Sequence, residues 1–146
     1  MVGQECPTHK IKRIRVLVSN SQQGAVTVIA LLQVFIRASQ NDPPVCLGEF
    51  AEPVELGRCK ENETRSRPLK PPQGHRAVIA EYDEVEIARE QVLLKPLPDG
   101  KVSVENLSTK IWIHEDRHGV DLQPGASRDF YPPVVLVIGS KTVTVQ

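Results

Sequence analysis

From residue 33 onward, short apolar or alternating segments recur at 33–38, 52–56, 76–80, 85–87, 91–96, 101–104, 111–113, 134–138 and 142–145. Each has the length of a strand rather than of a helix. Turn signals separate nearly all of them: Asn41-Asp42-Pro43-Pro44, Pro98-Asp99-Gly100, Pro124-Gly125 and Gly139-Ser140. These residues supply the positive φ of glycine and the fixed φ of proline that tight reversals need. Strands so closely spaced predict an all-β fold, an antiparallel β-sandwich. Within it, VSVEN and TVTVQ alternate as half-buried strands should, whereas the unbroken apolar run PVVLVI predicts a strand covered on both faces.

Residues 1–32 have a different character. A polar, basic head (Lys10, Lys12, Arg13, Arg15) leads into IRVLVSN, which reads as one strand, and then into SQQG, a turn. The apolar segment that follows, GAVTVIALLQVFI, fits a helix or a strand equally. It is the longest apolar run of the chain, yet Thr27 and Gln33 interrupt it, and it falls short of the roughly 20 residues needed to span a bilayer. The basic head imitates a signal peptide, but residues 20–23 separate it from the apolar run and no small-residue cleavage site is evident. The expected organisation is an N-terminal extension over 1–32 and one domain over 33–146, without membrane insertion or export.

Composition narrows the picture. A chain of 146 residues holds one well-buried domain but not two. Eighteen basic and eighteen acidic residues cancel, so no global field attracts nucleic acid or an anionic membrane. Any electrostatic function is therefore local. The loop CKENETRSRPLKPPQGH (59–75) is too polar and proline-rich for a core, and long loops in compact domains tend to carry function. Around it Lys60, Arg65, Arg67, Lys70 and Arg76 stand against Glu61 and Glu63, while segment 81–90 has the opposite sign. Its prolines, 68, 71 and 72, read as stiffeners. Three cysteines (Cys6, Cys46, Cys59) have no framework spacing, and are expected to be thiols in a reducing, cytoplasmic setting.

Four sequence blocks carry a family resemblance. AEPVELGRCKENE ends its strand on Gly57-Arg58, and DEVEIAREQVLL places Ala88, Arg89, Glu90 and Gln91 before an apolar strand. VSVENLSTKIWI follows a Pro-Asp-Gly turn, and LQPGASRDFYPPVVLVIGSKTVTV closes the chain with a Pro-Gly turn, an apolar strand, a glycine turn and a last strand. In this order and spacing the blocks resemble the forkhead-associated (FHA) domain, a phosphothreonine-peptide recognition module with an FHA/SMAD-like sandwich. The resemblance covers about 33–146.

What the resemblance implies for the site is mixed. Arg58 matches the family arginine that grips the phosphate. Ala88, Arg89, Glu90 and Gln91 stand where the family has Ser-Arg-x-His, so only the arginine is kept. Asn106, Leu107 and Ser108 match the loop that continues in the family to Asn-Gly-Thr, where this chain has Lys110, Ile111 and Trp112. Loss of the hydroxyl at Ala88 removes a charge-assisted hydrogen bond of roughly 1.5–3 kcal/mol, or one to two decades of affinity. Lys110 supplies an ammonium that can reach a phosphate oxygen as a point charge, but Ile111 in place of glycine predicts a different loop path. Gln91 reads as a structural brace in place of the histidine.

The expected site is Arg58, Arg89, Ser108, Thr109 and Lys110, binding a phosphothreonine-containing protein or peptide, such as a Ser/Thr kinase or its substrate. The alternative is a phosphate-independent contact with another protein or within the same chain. For Ser108 and Asn106 the competing roles are a turn-capping hydroxyl and an Asx turn.

Other chemistry is not supported. Cys6-x-x-His9 and His114-x-x-x-His118 have zinc-like spacings, yet neither has a second pair. No Gly-x-Ser-x-Gly, phosphate-cradling glycine loop or apolar carboxylate pair is present, so no enzyme, metal or cofactor is expected.

Overall fold

The computed structural model describes residues 14–18, 26–61, 63, 66–68 and 74–146, with only the backbone described in the strands at 14–18, 26–30 and 66–68. Every regular element among them is a strand.

β1 (Ile14–Val18) and β2 (Val26–Ala30) pair antiparallel as a separate two-stranded ladder. The apolar segment that fitted helix or strand is therefore strand in both its parts, since β3 (Leu32–Arg37) follows after one residue. The remaining strands are β4 (Val45–Phe50), β5 (Val54–Arg58), β6 (Ser66–Pro68), β7 (His75–Ala80), β8 (Val92–Pro96) and β9 (Val102–Asn106), then β10 (Ile113–Glu115), β11 (Val120–Leu122), β12 (Ser127–Phe130), β13 (Val134–Ile138) and β14 (Lys141–Val145).

They form two six-stranded sheets, in the orders β11-β10-β13-β14-β3-β4 and β12-β9-β8-β5-β7-β6. The first is antiparallel throughout; the second is mixed, because β5 and β7 run parallel. A parallel neighbour requires a long return, and residues 59–74 provide it.

The expected sandwich is thus observed, and its core lies between the sheets. Val34, Leu136, Ile138 and Val143 from one sheet and Val54, Leu56, Val92, Leu94 and Val104 from the other are fully buried. Each such side chain contributes on the order of 1.5–3 kcal/mol on leaving water. β9 and β14 alternate between buried and half-buried residues, as their sequences require.

Several elements differ from the sequence expectation. β13 alternates too, so VVLVI covers the core with one face only, and Val135 and Val137 stay partly open on the other. Residues 85–87 form a turn rather than a strand. β4, β6, β11 and β12 carry no distinct apolar pattern; all four lie on sheet edges, where a strand paired on one side only needs none. Cys46 on β4 is disulfide-bonded, which corrects the expectation of three thiols; Cys59 is a free thiol, and Cys6 lies outside the described residues.

Among the described residues no helix is long and apolar enough to cross a membrane, and no group of three or more His, Cys, Asp or Glu could hold a metal. His114 instead contacts Asp121, 2.6 Å away, and His118 contacts Glu115, 2.8 Å away. The Cys6-x-x-His9 pair lies outside the described residues.

Candidate functional site

Three connections converge at one end of the second sheet. These are the start of the β5–β7 return, the β7–β8 loop (residues 81–91) and the β9–β10 loop (residues 107–112). Between them lies a cleft of about 510 Å³ lined by Lys60, Tyr82, Ala88, Arg89, Ser108 and Thr109, with Glu61, Glu90 and Leu107 completing it.

The 81–91 loop is held from three sides. Arg58, at the end of β5, donates from Nε to the Ile87 carbonyl and from a terminal nitrogen to the Tyr82 carbonyl, each at 2.8 Å, and its backbone N–H donates to the Ala88 carbonyl at 2.9 Å. Glu84 pairs with Lys141 at 2.9 Å, and Glu86 accepts from the Ser140 backbone N–H at 2.9 Å and from its hydroxyl. Burial pushes the Glu84 carboxyl up, but Lys141 and the Glu81 N–H outweigh it and hold the pKa below its ordinary value. The Ser140 donors lower that of Glu86. Ile87 is fully buried and plugs the loop into the core.

Gly57 explains why the loop can approach so closely. A Cβ at this position would lie 1.9 Å from the Arg89 carbonyl oxygen, closer than any side-chain carbon tolerates. The Gly-Arg pair of β5 is therefore one device: glycine admits the loop backbone and arginine ties it down.

The β9–β10 loop is built around Asn106, which is fully buried. Its Nδ2 donates to the carbonyls of Ile111 and Leu122, and its Oδ1 accepts from Ser108 N–H at 3.1 Å in an Asx turn and from Gln91 Nε2 at 3.2 Å. Gln91 Oε1 accepts from Ala88 N–H at 2.7 Å. Gln91 thus bridges the two loops through one buried amide, as the brace reading of its sequence position anticipated. Ser108 Oγ accepts from the N–H groups of Lys110 and Ile111, so the turn-capping role is realised. Because a hydroxyl also carries one proton, Ser108 keeps a donor with no partner among the described residues.

A buried ionic cluster supports the third wall. Arg76 on β7 is 1% exposed; it donates to Glu55 at 2.6 Å, to both carboxylate oxygens of Glu63, and to the Arg58 carbonyl at 2.8 Å. Burial alone would lower the Arg76 pKa, but Glu63 and Glu55 raise it above its ordinary value. Glu63 also accepts the Lys60 N–H at 2.8 Å, fixing the turn that carries Lys60.

The expected site residues therefore divide. Arg89, Ser108 and Thr109 line the cleft. Arg89 is exposed, its guanidinium 6.0 Å from the Tyr82 ring centroid. Lys110 is exposed but not part of the lining. Arg58 is not part of the lining either: two of its donors serve loop carbonyls, and no described carboxylate pairs with it. Of the basic loop's cations, Arg76 is buried and paired with Glu55 and Glu63, and Lys60 pairs with Glu90 at 3.0 Å; Arg65, Lys70 and the Arg67 side chain lie outside the described residues. Lys60, which the sequence offered only as one cation of the basic loop, lines the cleft, and so do Tyr82 and Glu90, to which the resemblance assigned no role. For Tyr82 the only sequence signal is an aromatic residue in an acidic, otherwise polar turn.

Comparison of the sequence with family models and with curated proteins gives no match. The structure is similar to the crystal structure of the FHA domain of the CT664 protein from Chlamydia trachomatis, with a TM-score of 0.51 and 14% identity over 80% of this chain and 96% of that one. At that identity the likeness carries the fold alone. The chain has an FHA-like β-sandwich.

Proposed function

We propose that this chain is a non-catalytic protein-interaction module that binds a phosphothreonine-containing segment of a partner in the cleft at the end of the second sheet. The observation that carries the reading is the meeting there of Lys60, Arg89 and the uncommitted Ser108 proton, all lining one cleft. A phosphomonoester offers nearly two negative charges and three acceptor oxygens, which suit two cations and a neutral donor. Likeness in fold to an FHA domain supports the same ligand class.

In this reading Arg58 acts at one remove, holding the 81–91 loop so that Arg89 faces the ligand. With a methyl group at Ala88 and mobile, solvated cations at the rim, binding is weak, in the high-micromolar to millimolar range. A Ser/Thr kinase or one of its substrates, in the cytoplasm, is the partner class this ligand implies.

The test is NMR titration of the full chain with a phosphothreonine peptide library. Saturable shifts at Arg89, Ser108 and Thr109 that vanish with unphosphorylated peptides, and weaken in Arg89→Ala, are expected. A partner that binds equally well without phosphate would instead favour a phosphate-independent contact. One observation supports that second reading, namely the engagement of Arg58 by carbonyls outside the cleft lining.

A further inference from the structure

Within the cleft an internal anion already sits on one of the cations. Lys60 Nζ lies 3.0 Å from Glu90 Oε2, and both residues line the cleft. We infer that Glu90 is an internal competitor for the incoming phosphate, so that the site is partly self-occupied until a ligand displaces Glu90 from Lys60. The inference rests on the phosphate-binding reading of this cleft.

Both ends of the pair are anchored by well-fixed backbone. On one side Glu63 accepts the Lys60 N–H and is itself gripped by Arg76, while the Cys59 N–H donates to the Ala80 carbonyl at 2.9 Å. On the other, the Arg89 carbonyl packs against Gly57 and the Gln91 N–H donates to the Leu56 carbonyl at 3.0 Å, which pins the backbone on either side of Glu90. The two side chains meet because of where the loops are held. They are also free to part, since the Lys60 and Glu90 side chains are 34% and 59% exposed.

A ligand that needs Lys60 binds only the fraction of molecules in which the ammonium is released, so its apparent affinity falls by that fraction. Exposed ion pairs of this kind correspond to a closed-to-open ratio of order unity to about five. Arg89, the residue before Glu90, carries no such burden: its guanidinium lies 6.0 Å from the Tyr82 ring centroid and no described carboxylate pairs with it. The cleft thus has one cation ready and one held back.

The experiment is an NMR-detected titration of the full chain with a blocked five-residue peptide centred on phosphothreonine, using the unphosphorylated peptide as control. Four proteins are compared: wild type, Glu90→Gln, Lys60→Gln and the double variant. Glu90→Gln is expected to tighten binding about two- to fivefold, by the arithmetic of exposed ion pairs. Lys60→Gln is expected to weaken binding, and adding Glu90→Gln to it to restore nothing, because the competition acts through Lys60. Equal affinity of wild type and Glu90→Gln would overturn the inference and leave the binding reading intact. So would an equal gain with and without Lys60, since that would be general repulsion rather than displacement. Absence of saturable binding in all four proteins would overturn the reading itself and the inference with it.

Discussion

The Gln91 side-chain amide donates to Asn106 Oδ1 at 3.2 Å, deep beneath the cleft, and so joins the loop carrying Arg89 to the loop carrying Ser108. Both residues are fully buried, and every polar atom of this bridge has a partner. The relative position of the two cleft-lining loops is consequently set by one internal hydrogen-bond chain rather than by contacts at the surface.

Truncating either partner should be costly, because it strands buried polar groups. Gln91→Ala and Asn106→Ala are each expected to destabilise the fold by about 1–3 kcal/mol or more. Chemical denaturation of both single variants and the double variant measures this. The double variant is expected to lose less than the sum, since the two side chains share one network.

Arg58→Lys keeps the charge but not the paired donors that reach Ile87 and Tyr82. It should destabilise the chain by about 1–2 kcal/mol and selectively speed amide hydrogen exchange across residues 81–91. Exchange that rises evenly across the whole protein would contradict the tie-down role.

Glu115 gives a pH dependence of known sign. Burial pushes its carboxyl up, but the N–H groups of Val135 and His118 and the His118 ring outweigh that and hold the pKa below its ordinary value of 4.5. A lowered folded pKa means stability that is present above the unfolded value and lost as pH falls through the folded one. Thermal melts of wild type should therefore drop below about pH 4.5 more steeply than those of Glu115→Gln, which starts lower at neutral pH.

Ala88 lines the cleft with a methyl group. Ala88→Ser restores a hydroxyl at this wall and should tighten phosphothreonine-peptide binding about tenfold, the lower end of what one charge-assisted hydrogen bond supplies. Titration with the same peptide in its unphosphorylated form should register no gain.

Turn chemistry and period-2 patterning were enough to read an all-β sandwich from the chain, because Pro-Asp-Gly, Pro-Gly and Gly-Ser turns and segments such as VSVEN encode local geometry directly. The Asx turn of Asn106 and the turn-capping hydroxyl of Ser108 were legible for the same reason, since short polar side chains act on backbone close to them in sequence, whereas the brace role of Gln91 came from its place in the FHA resemblance. Edge strands such as β12 were not, since a strand open on one side needs no apolar signature. What only tertiary structure decided was the fate of the charges. Arg58 spends two donors on carbonyls 24 and 29 residues away, Arg76 is buried between Glu55 and Glu63, and Lys60 meets Glu90 across 30 residues. A guanidinium or ammonium on a long flexible stem takes whichever acceptor the folded chain brings within reach, and no local pattern specifies which that is.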